Sequence, residues 1–287
     1  MQRLLRWTGI VLASVVGLAI VAYALLYLLS ERALNRTYQR PAVAFSIPIP
    51  TDAASIVEGK RLATIRGCTD CHGKVGEGQV MFDQPMIARV VAPNLTVAMK
   101  KYNDAELEAI IRHGVRPDGR SLLIMPSEIF VVMNDDDLVK TMAFLKSLPE
   151  VPGPGPSVSS GPIGRLGLAT GKFKMVAQLI ADTVPPPEPA GDQARQGRYL
   201  ARSICAGCHG TALHGDSNPE FSSPDLRMVA AYSPADFQRL LRTGVAFGGR
   251  EVGVMSDEAR NHLSLLTDAE IAALYSYLHS MPEAAGK

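Results

Sequence analysis

Two stretches decide the reading of this chain: Cys68-Thr69-Asp70-Cys71-His72 and Cys205-Ala206-Gly207-Cys208-His209. Together they use all four cysteines of the 287 residues. Cys-x-x-Cys-His is the attachment pattern of a c-type haem. The spacing follows from the chemistry. Two thiols three positions apart on a helical turn reach two porphyrin vinyl groups and form thioethers, and the histidine that follows turns its imidazole to the iron. Two other chemistries use a Cys-x-x-Cys pair. A redox disulfide does not call for the histidine that follows in both copies here. A zinc site made of two such pairs usually spaces them by about 15–20 residues, and these lie 134 residues apart. The pattern therefore points to two covalently attached haem c groups. Cys68, Cys71, Cys205 and Cys208 are the attachment sites, and His72 and His209 are iron ligands.

The flanks of the two motifs repeat each other. Glu58-Gly59-Lys60-Arg61-Leu62-Ala63 precedes the first and Gln196-Gly197-Arg198-Tyr199-Leu200-Ala201 the second, both helical patterns. A Gly-bearing loop follows each, then Ala92-Pro93-Asn94-Leu95 or Ser223-Pro224-Asp225-Leu226. A middle helix opens at Asn103 or Ser233 with a carboxylate three positions on, and Gly114 or Gly244 ends it. A last helix opens at Asn134 or Thr267 and runs to Phe144-Leu145-Lys146-Ser147-Leu148-Pro149 or Tyr277-Leu278-His279-Ser280-Met281-Pro282. The offset between copies is 137 at the cysteines and 133 at the end, a duplication of a whole domain. The expected fold is all-α: an N-terminal transmembrane helix and two tandem haem domains. The expected boundaries are 1–52 for anchor and linker, 53–150 for the first domain, 151–190 for an interdomain linker and 191–287 for the second domain.

From Trp7 to Leu29 no residue is charged. As a helix this run is about 34 Å long, enough to cross a bilayer core of about 30 Å. A cleaved signal peptide is the competing reading, but the run exceeds the usual 7–15-residue core and no small-x-small site follows it. Arg3 and Arg6 precede the run, and Arg32, Arg36 and Arg40 follow it, so the positive-inside rule orients it only weakly. Thioether attachment takes place outside the bacterial inner membrane, which puts the N-terminus in the cytoplasm and the haem domains in the periplasm. A short linker with Pro41, Pro48 and Pro50 joins anchor to first lobe. The linker 151–190 carries Pro152, Pro154 and Pro156 at one end and Pro185, Pro186, Pro187 and Pro189 at the other, with one short helix expected over Arg165 to Ile180. A Pro-rich tether is stiff, and it is expected to strap the lobes in a fixed relation. The two lobes carry net charges of −1 and −2 with no basic stripe, so no nucleic acid is expected as partner.

The sixth iron ligand separates electron transfer from ligand chemistry. Met125 and Met255 are the candidates, 53 and 46 residues after the proximal histidines, each read as lying in the loop between middle and last helices. Met81, Met86 and Met99 are weaker rivals, and Met133, Met142, Met228 and Met281 read as core packing. His113 and His262 are rival nitrogen ligands; His113 and His279 read as surface residues, and His214 as exposed or near a haem propionate.

In both lobes these pieces resemble the class I cytochrome c family, over roughly residues 53–150 and 191–284. The tandem form behind one anchor resembles the membrane-bound cytochrome c subunits of periplasmic alcohol and gluconate dehydrogenases, which usually carry three haem domains where this chain has two. The resemblance implies that Pro93 and Pro224 give their carbonyls to His72 and His209 and so orient the imidazoles. It also implies tight crossings of first and last helices at Gly59 with Phe144 and at Gly197 with Tyr277. The implied role is electron transfer rather than catalysis, from a periplasmic dehydrogenase or quinol-oxidising complex toward a terminal oxidase or small cytochrome. The competing role is a dihaem enzyme of peroxidase or thiosulfate-oxidising type with one labile ligand, in which Glu128 or Glu251 could act beside the iron. Both read instead as solvated loop carboxylates. A sensory haem module would carry an appended signalling domain, and the sequence offers none.

Overall fold

Side-chain oxygens of Asp52, Asn94, Asn103, Asn134, Ser233 and Thr267 cap free backbone N–H groups where helices start. The computed structural model describes residues 2–39, 45–183, 189–217 and 222–281. The expectations that rest on Arg40, Pro41, Pro185, Pro186, Pro187 and Pro282 lie outside the described residues.

The apolar run forms helix α1 (Gln2–Leu34), longer than the uncharged stretch at both ends. Its hydropathy and length suffice to cross a membrane, and its side chains are almost all exposed. The first lobe follows with α2 (Ala53–Ile65), α3 (Cys68–His72), strands β1 (Gln79–Gln84) and β2 (Ala88–Ala92), α4 (Leu95–Lys101), α5 (Asp104–His113), α6 (Ser127–Phe130) and α7 (Asp135–Ser147). Asn103 and Glu106 form a reciprocal capping box on α5, and the Asn134 side chain accepts from the Asp137 N–H at the start of α7. α2 crosses α7 at Gly59. A Cβ there would overlap the Lys140 carbonyl and press on Phe144. The crossing therefore needs the missing side chain.

The second lobe repeats the plan. α10 (Asp192–Leu200) leads through a π-helical turn, Ala201–Cys205, into α11 (Ala206–His209). Two-residue strands β4 (Asp216–Ser217) and β5 (Ser222–Ser223) pair as an antiparallel ladder, and a 3₁₀ segment spans Leu226–Ala231. Then come α12 (Pro234–Thr243), strands β6 (Val245–Ala246) and β7 (Arg250–Glu251), α13 (Val254–Asn261) and α14 (Asp268–His279). Gly197 meets the Ala273 carbonyl and Tyr277 as Gly59 meets Lys140 and Phe144. The expected Gly–aromatic crossings are both present.

The expectation of an all-α chain is corrected in one respect: the protein is mostly helical but carries strands. β2 pairs antiparallel with β1 on one side and with β3 (Ser157–Ser160) on the other. The β-branched pair Val90 and Val91 is buried in β2, and the interdomain linker supplies the third strand. That linker also differs from the single helix expected over Arg165 to Ile180. It forms α8 (Pro162–Ala169) and α9 (Val176–Asp182), separated at Gly171, whose φ of +69° ends the first. The linker packs onto the first lobe and onto α1. The lobes touch each other directly. Arg61 pairs with Glu270 at 2.8 Å, Tyr199 bonds Asp137 at 2.5 Å and Arg66 at 2.9 Å, and Ile129 sits against Gly207.

Candidate haem sites

The first Cys-x-x-Cys-His motif forms α3, and the second runs from the end of the π-helical turn, at Cys205, through α11; in each the two cysteines stand three positions apart on helical backbone. The His72 and His209 rings are buried. The Nδ1 of His72 lies 2.8 Å from the Pro93 carbonyl, and the Nδ1 of His209 lies 2.8 Å from the Pro224 carbonyl. A carbonyl only accepts, so Nδ1 donates and the lone pair is left on Nε2. Burial pushes the His72 imidazole below its ordinary value, against the opposing pull of the Pro93 hydrogen bond. It is therefore neutral, the form that binds a metal.

The loop from each histidine to its proline closes alike. Gly78 donates its N–H to the His72 carbonyl at 2.7 Å, and Gly215 donates to the His209 carbonyl at 3.0 Å. Both glycines have φ near +80° (+78° and +83°), and a Cβ on either would press on the backbone that leads into the proline. These two glycines escaped the sequence reading. Their matching offset of 137 was the available signal.

Burial pushes the Cys68 thiol up to about 11 and the Cys205 thiol up to about 12. Neutral, buried thiols are not the low-pKa thiolates of a redox Cys-x-x-Cys. Among the described residues no three His, Cys, Asp or Glu side chains converge as a metal site. What remains is a pair of thiols beside an oriented neutral imidazole, twice over. This donor set fits a covalently attached haem.

Met125 and Met255 are half-buried and pack against the hydrophobic core, as do Cys68 and Cys205. Met125 lies in a loop just before α6, as expected. Met255 does not: it stands in the first turn of α13. A buried serine follows each. The Ser256 Oγ donates to the Gly244 carbonyl at 2.6 Å and accepts from the Val252 N–H at 2.8 Å. The Ser127 Oγ donates to the Ile110 carbonyl at 3.2 Å. Each serine ties the methionine segment to the end of the middle helix, a role the sequence did not announce. Arg112 and Arg242 are a second matched pair that was missed. Each reaches from the end of the middle helix to carbonyls that precede the last helix and to its first carboxylate, Asp135 or Asp268.

The rivals divide cleanly. Met99, Met133 and Met142 are core residues, whereas Met81 and Met86 are exposed. Met228, expected in the core, is 42% exposed on the 3₁₀ segment. His113 is 3.1 Å from Glu108, and His214 and His279 are exposed. His262 is held between Asp70 of the first lobe at 3.0 Å and Glu258 at 2.8 Å. Glu251 is exposed and paired with Arg260, but Glu128 corrects its reading as a solvated carboxylate. Its Oε2 is buried with no partner among the described residues, and burial pushes its carboxyl up.

Two lobes built on Cys-x-x-Cys-His, a proline-oriented histidine and a helix crossing at glycine define domains of the cytochrome c class. Residues 56–149 match the cytochrome c family, and residues 192–278 match that of cytochrome c oxidase, cbb3-type, subunit III. Two such domains imply covalently bound haem c, and their number agrees with two haems. The chain is homologous to cytochrome subunits of dehydrogenases. It is 24% identical to the fructose dehydrogenase cytochrome subunit of Gluconobacter japonicus over 82% of this chain and 54% of that one. It is 26% identical to the cytochrome c subunit of alcohol dehydrogenase (quinone) from Gluconacetobacter polyoxogenes, over 80% and 57%. It is 24% identical to the gluconate 2-dehydrogenase cytochrome c subunit of Pantoea cypripedii, over 79% and 60%. The chain thus spans little more than half the length of these relatives, each of which is a cytochrome subunit and not a catalytic one.

Proposed function

We propose that the chain is a membrane-anchored dihaem c-type cytochrome that carries electrons in the bacterial periplasm. In this reading α1 crosses the inner membrane once with its N-terminus in the cytoplasm, and domains 53–150 and 191–287 each hold one haem. Electrons enter from a dehydrogenase or a quinol and leave toward a terminal oxidase or a small cytochrome. The observation that carries the reading is the duplicated histidine geometry, two Cys-x-x-Cys-His turns with Nδ1 engaged by a proline carbonyl at the same distance.

Cys68 and Cys71, and Cys205 and Cys208, would hold the porphyrins through thioethers. His72 and Met125 would ligate one iron, and His209 and Met255 the other. When bound, a haem with these ligands supplies a one-electron ferric–ferrous couple, raised in potential by the methionine. The residues do the rest. Pro93 and Pro224 fix the tautomer and angle of each imidazole. Ser127 and Ser256 hold the methionine segments to the middle helices, so the coordination shell changes little with oxidation state. The buried leucines and aromatics of both lobes exclude water from around it.

The test is an optical spectrum of the purified, detergent-solubilised protein, oxidised and reduced, with and without carbon monoxide, together with a pyridine haemochrome count. The expected result is two haem c groups per chain, a methionine-to-iron charge-transfer band and no carbon monoxide shift. A single haem overturns the dihaem assignment. A carbon monoxide shift in half the haem overturns one methionine assignment.

A further inference from the structure

Helix α8 belongs to neither haem site. Its sequence, Pro162-Ile163-Gly164-Arg165-Leu166-Gly167-Leu168-Ala169, has one charged residue in eight. That charge is turned inward. Arg165 donates to the Ser30 Oγ at 2.7 Å, pairs with Glu31 at 2.9 Å, and lies over the Tyr27 ring at 4.0 Å. These partners are all on α1. The outward face of α8 is left apolar: Ile163 is 53% exposed and Leu166 52%, one helical turn apart. A surface helix of a soluble domain normally turns a polar face outward.

Neighbouring residues extend this face. The tip of the β1–β2 hairpin lies against the start of α8, where the Ile163 N–H donates to the Met86 carbonyl at 2.8 Å and the Gly161 N–H to the Ile87 carbonyl at 2.8 Å. The Met86 and Ile87 side chains are themselves exposed. Phe173, also exposed, folds back so that its N–H bonds the Gly167 carbonyl at 3.0 Å. The position of the patch along α1 says what covers it. From Trp7 to Tyr27 is 20 residues, about 30 Å of helix, the thickness of a bilayer core. The Tyr27–Arg165 contact therefore falls at the outer boundary of the hydrocarbon, and α8 continues the exposed apolar side chains of α1 at that level.

We propose that α8, the β1–β2 tip and Phe173 form a foot that lies in the headgroup region of the bilayer and sets the first haem lobe against the membrane surface. The occupant of this face is lipid. An apolar helix face inserts to about 5–10 Å at such a boundary, and the exposed Lys172 next to Phe173 suits anionic headgroups. The Arg165 contacts then fix the tilt of the lobe relative to the anchor, so the first haem keeps one height above the bilayer. The inference rests on the reading of α1 as a membrane span.

The test uses the full chain with both haems attached, in bilayers of phosphatidylcholine and phosphatidylglycerol. Its native cysteines are consumed as thioethers, so a single introduced cysteine accepts a nitroxide label. Variants Leu18→Cys, Leu166→Cys and Val254→Cys report on mid-anchor, foot and second lobe. The reading is the ratio of collisions with oxygen to collisions with a water-soluble nickel chelate. The expected ratio is highest at position 18, raised at 166 and aqueous at 254. A raised value at 18 with an aqueous value at 166 overturns the foot and leaves the anchor standing. An aqueous value at 18 overturns the anchor reading itself. A label at 166 that is immobile and shielded from both reagents shows the face covered by protein, and that also overturns the foot.

Discussion

The two lobes use one plan but brace their distal segments differently. In the first lobe the interdomain linker lies across the segment that leads to Met125. The Ala177 N–H donates to the Ser121 Oγ at 2.9 Å, the Val176 N–H donates to the Leu122 carbonyl at 3.2 Å, and Val176 seats on Gly114. Among the described residues no such strap lies on the matching segment of the second lobe, from Val245 to Gly253. That segment is a two-residue hairpin with Gly248 and Gly249 at its tip, in open space, and with Phe247 exposed. Ser256, the Arg260–Glu251 pair and the Arg239 bond to the Ala246 carbonyl tie it down instead. The approach to the haem motif differs as well: α2 ends at Ile65 and Gly67 (φ +68°) breaks the chain before α3, whereas α10 runs on through a π-helical turn. A duplicated domain has thus kept the proximal geometry the same and let the distal side diverge, which points to one stiff and one yielding haem crevice.

The largest expected effect tests what the lobes share. Gly59→Ala and Gly197→Ala each place a methyl group where a carbonyl of the last helix lies, and overpacking of this kind costs about 3 kcal/mol. Guanidinium unfolding followed by the haem spectrum should show the affected lobe melting first in each variant. Equal stability of the variant and the parent would mean that the crossings relax easily. Next in size is Ser256→Ala, which leaves the Val252 N–H and the Gly244 carbonyl unpaired in a buried place, at about 2 kcal/mol. The counterpart Ser127→Ala loses one longer bond beneath a strap and should cost about half as much. Hydrogen exchange of residues 245–256 and 115–127 reads the difference, and an equal response would erase the distinction between the crevices.

The shared half of this comparison was legible in the sequence, and the divergent half was not. Caps, the helix-ending glycines and the Cys-x-x-Cys-His turns depend on residues close in the chain, so Asn103, Thr267 and Gly114 could be read directly. The proline carbonyls and the Gly59 and Gly197 crossings came from the family resemblance, and they hold in both lobes. The linker was expected to act as a stiff strap between the lobes, but its packing onto the first lobe was not legible: it depends on short contacts remote in sequence, the pairing of Ser157–Ser160 with Ala88–Val91 and the bonds of Val176 and Ala177 to Leu122 and Ser121. Met255 was placed in a loop because α13 starts at Gly253 without a side-chain cap. Ser127, Ser256 and the two matched arginines act through tertiary contacts, where a polar residue looks the same whether it is solvated or buried.

A smaller effect tests the strap itself. Two additional hydrogen bonds, donated by the Val176 and Ala177 N–H groups, hold the first distal segment at about 0.7 kcal/mol each, about 1.4 kcal/mol together. Exogenous imidazole should therefore occupy the second haem about tenfold more tightly than the first, since 1.4 kcal/mol is a factor of ten. Ser121→Ala removes the acceptor for the Ala177 N–H and should narrow that ratio. Imidazole titration of the ferric protein, with the two haems resolved by their spectra, gives both numbers. A single affinity in the parent protein would refute the asymmetry.

The smallest effect concerns the docking that keeps the unequal crevices together. Glu270 reaches across the interface to Arg61 and also accepts from the Thr267 N–H at 2.6 Å as the far half of a capping box. Burial works to raise its carboxyl, but the Arg61 hydrogen bond, the Thr267 N–H and the Arg61 charge together hold it below the ordinary value of about 4.5. A carboxyl depressed in the folded state contributes stability above its unfolded value, and that contribution is lost as pH falls through the folded value. Docking should thus be complete at neutral pH and loosen below about pH 4.5, by about 1 kcal/mol for a partly exposed pair. Glu270→Gln separates the two roles, because glutamine still closes the capping box while the interlobe charge is gone. In this variant, hydrogen exchange at Arg61 and at Leu265–Glu270 should be faster than in the parent at pH 7, and the difference should shrink as pH falls below about 4.5 and the parent's Glu270 takes up its proton. If the variant and the parent exchange alike at pH 7, the ion pair does not hold the lobes, and the bonds of Tyr199 to Asp137 and Arg66, the Asp70–His262 pair and the contact of Ile129 with Gly207 carry the docking instead.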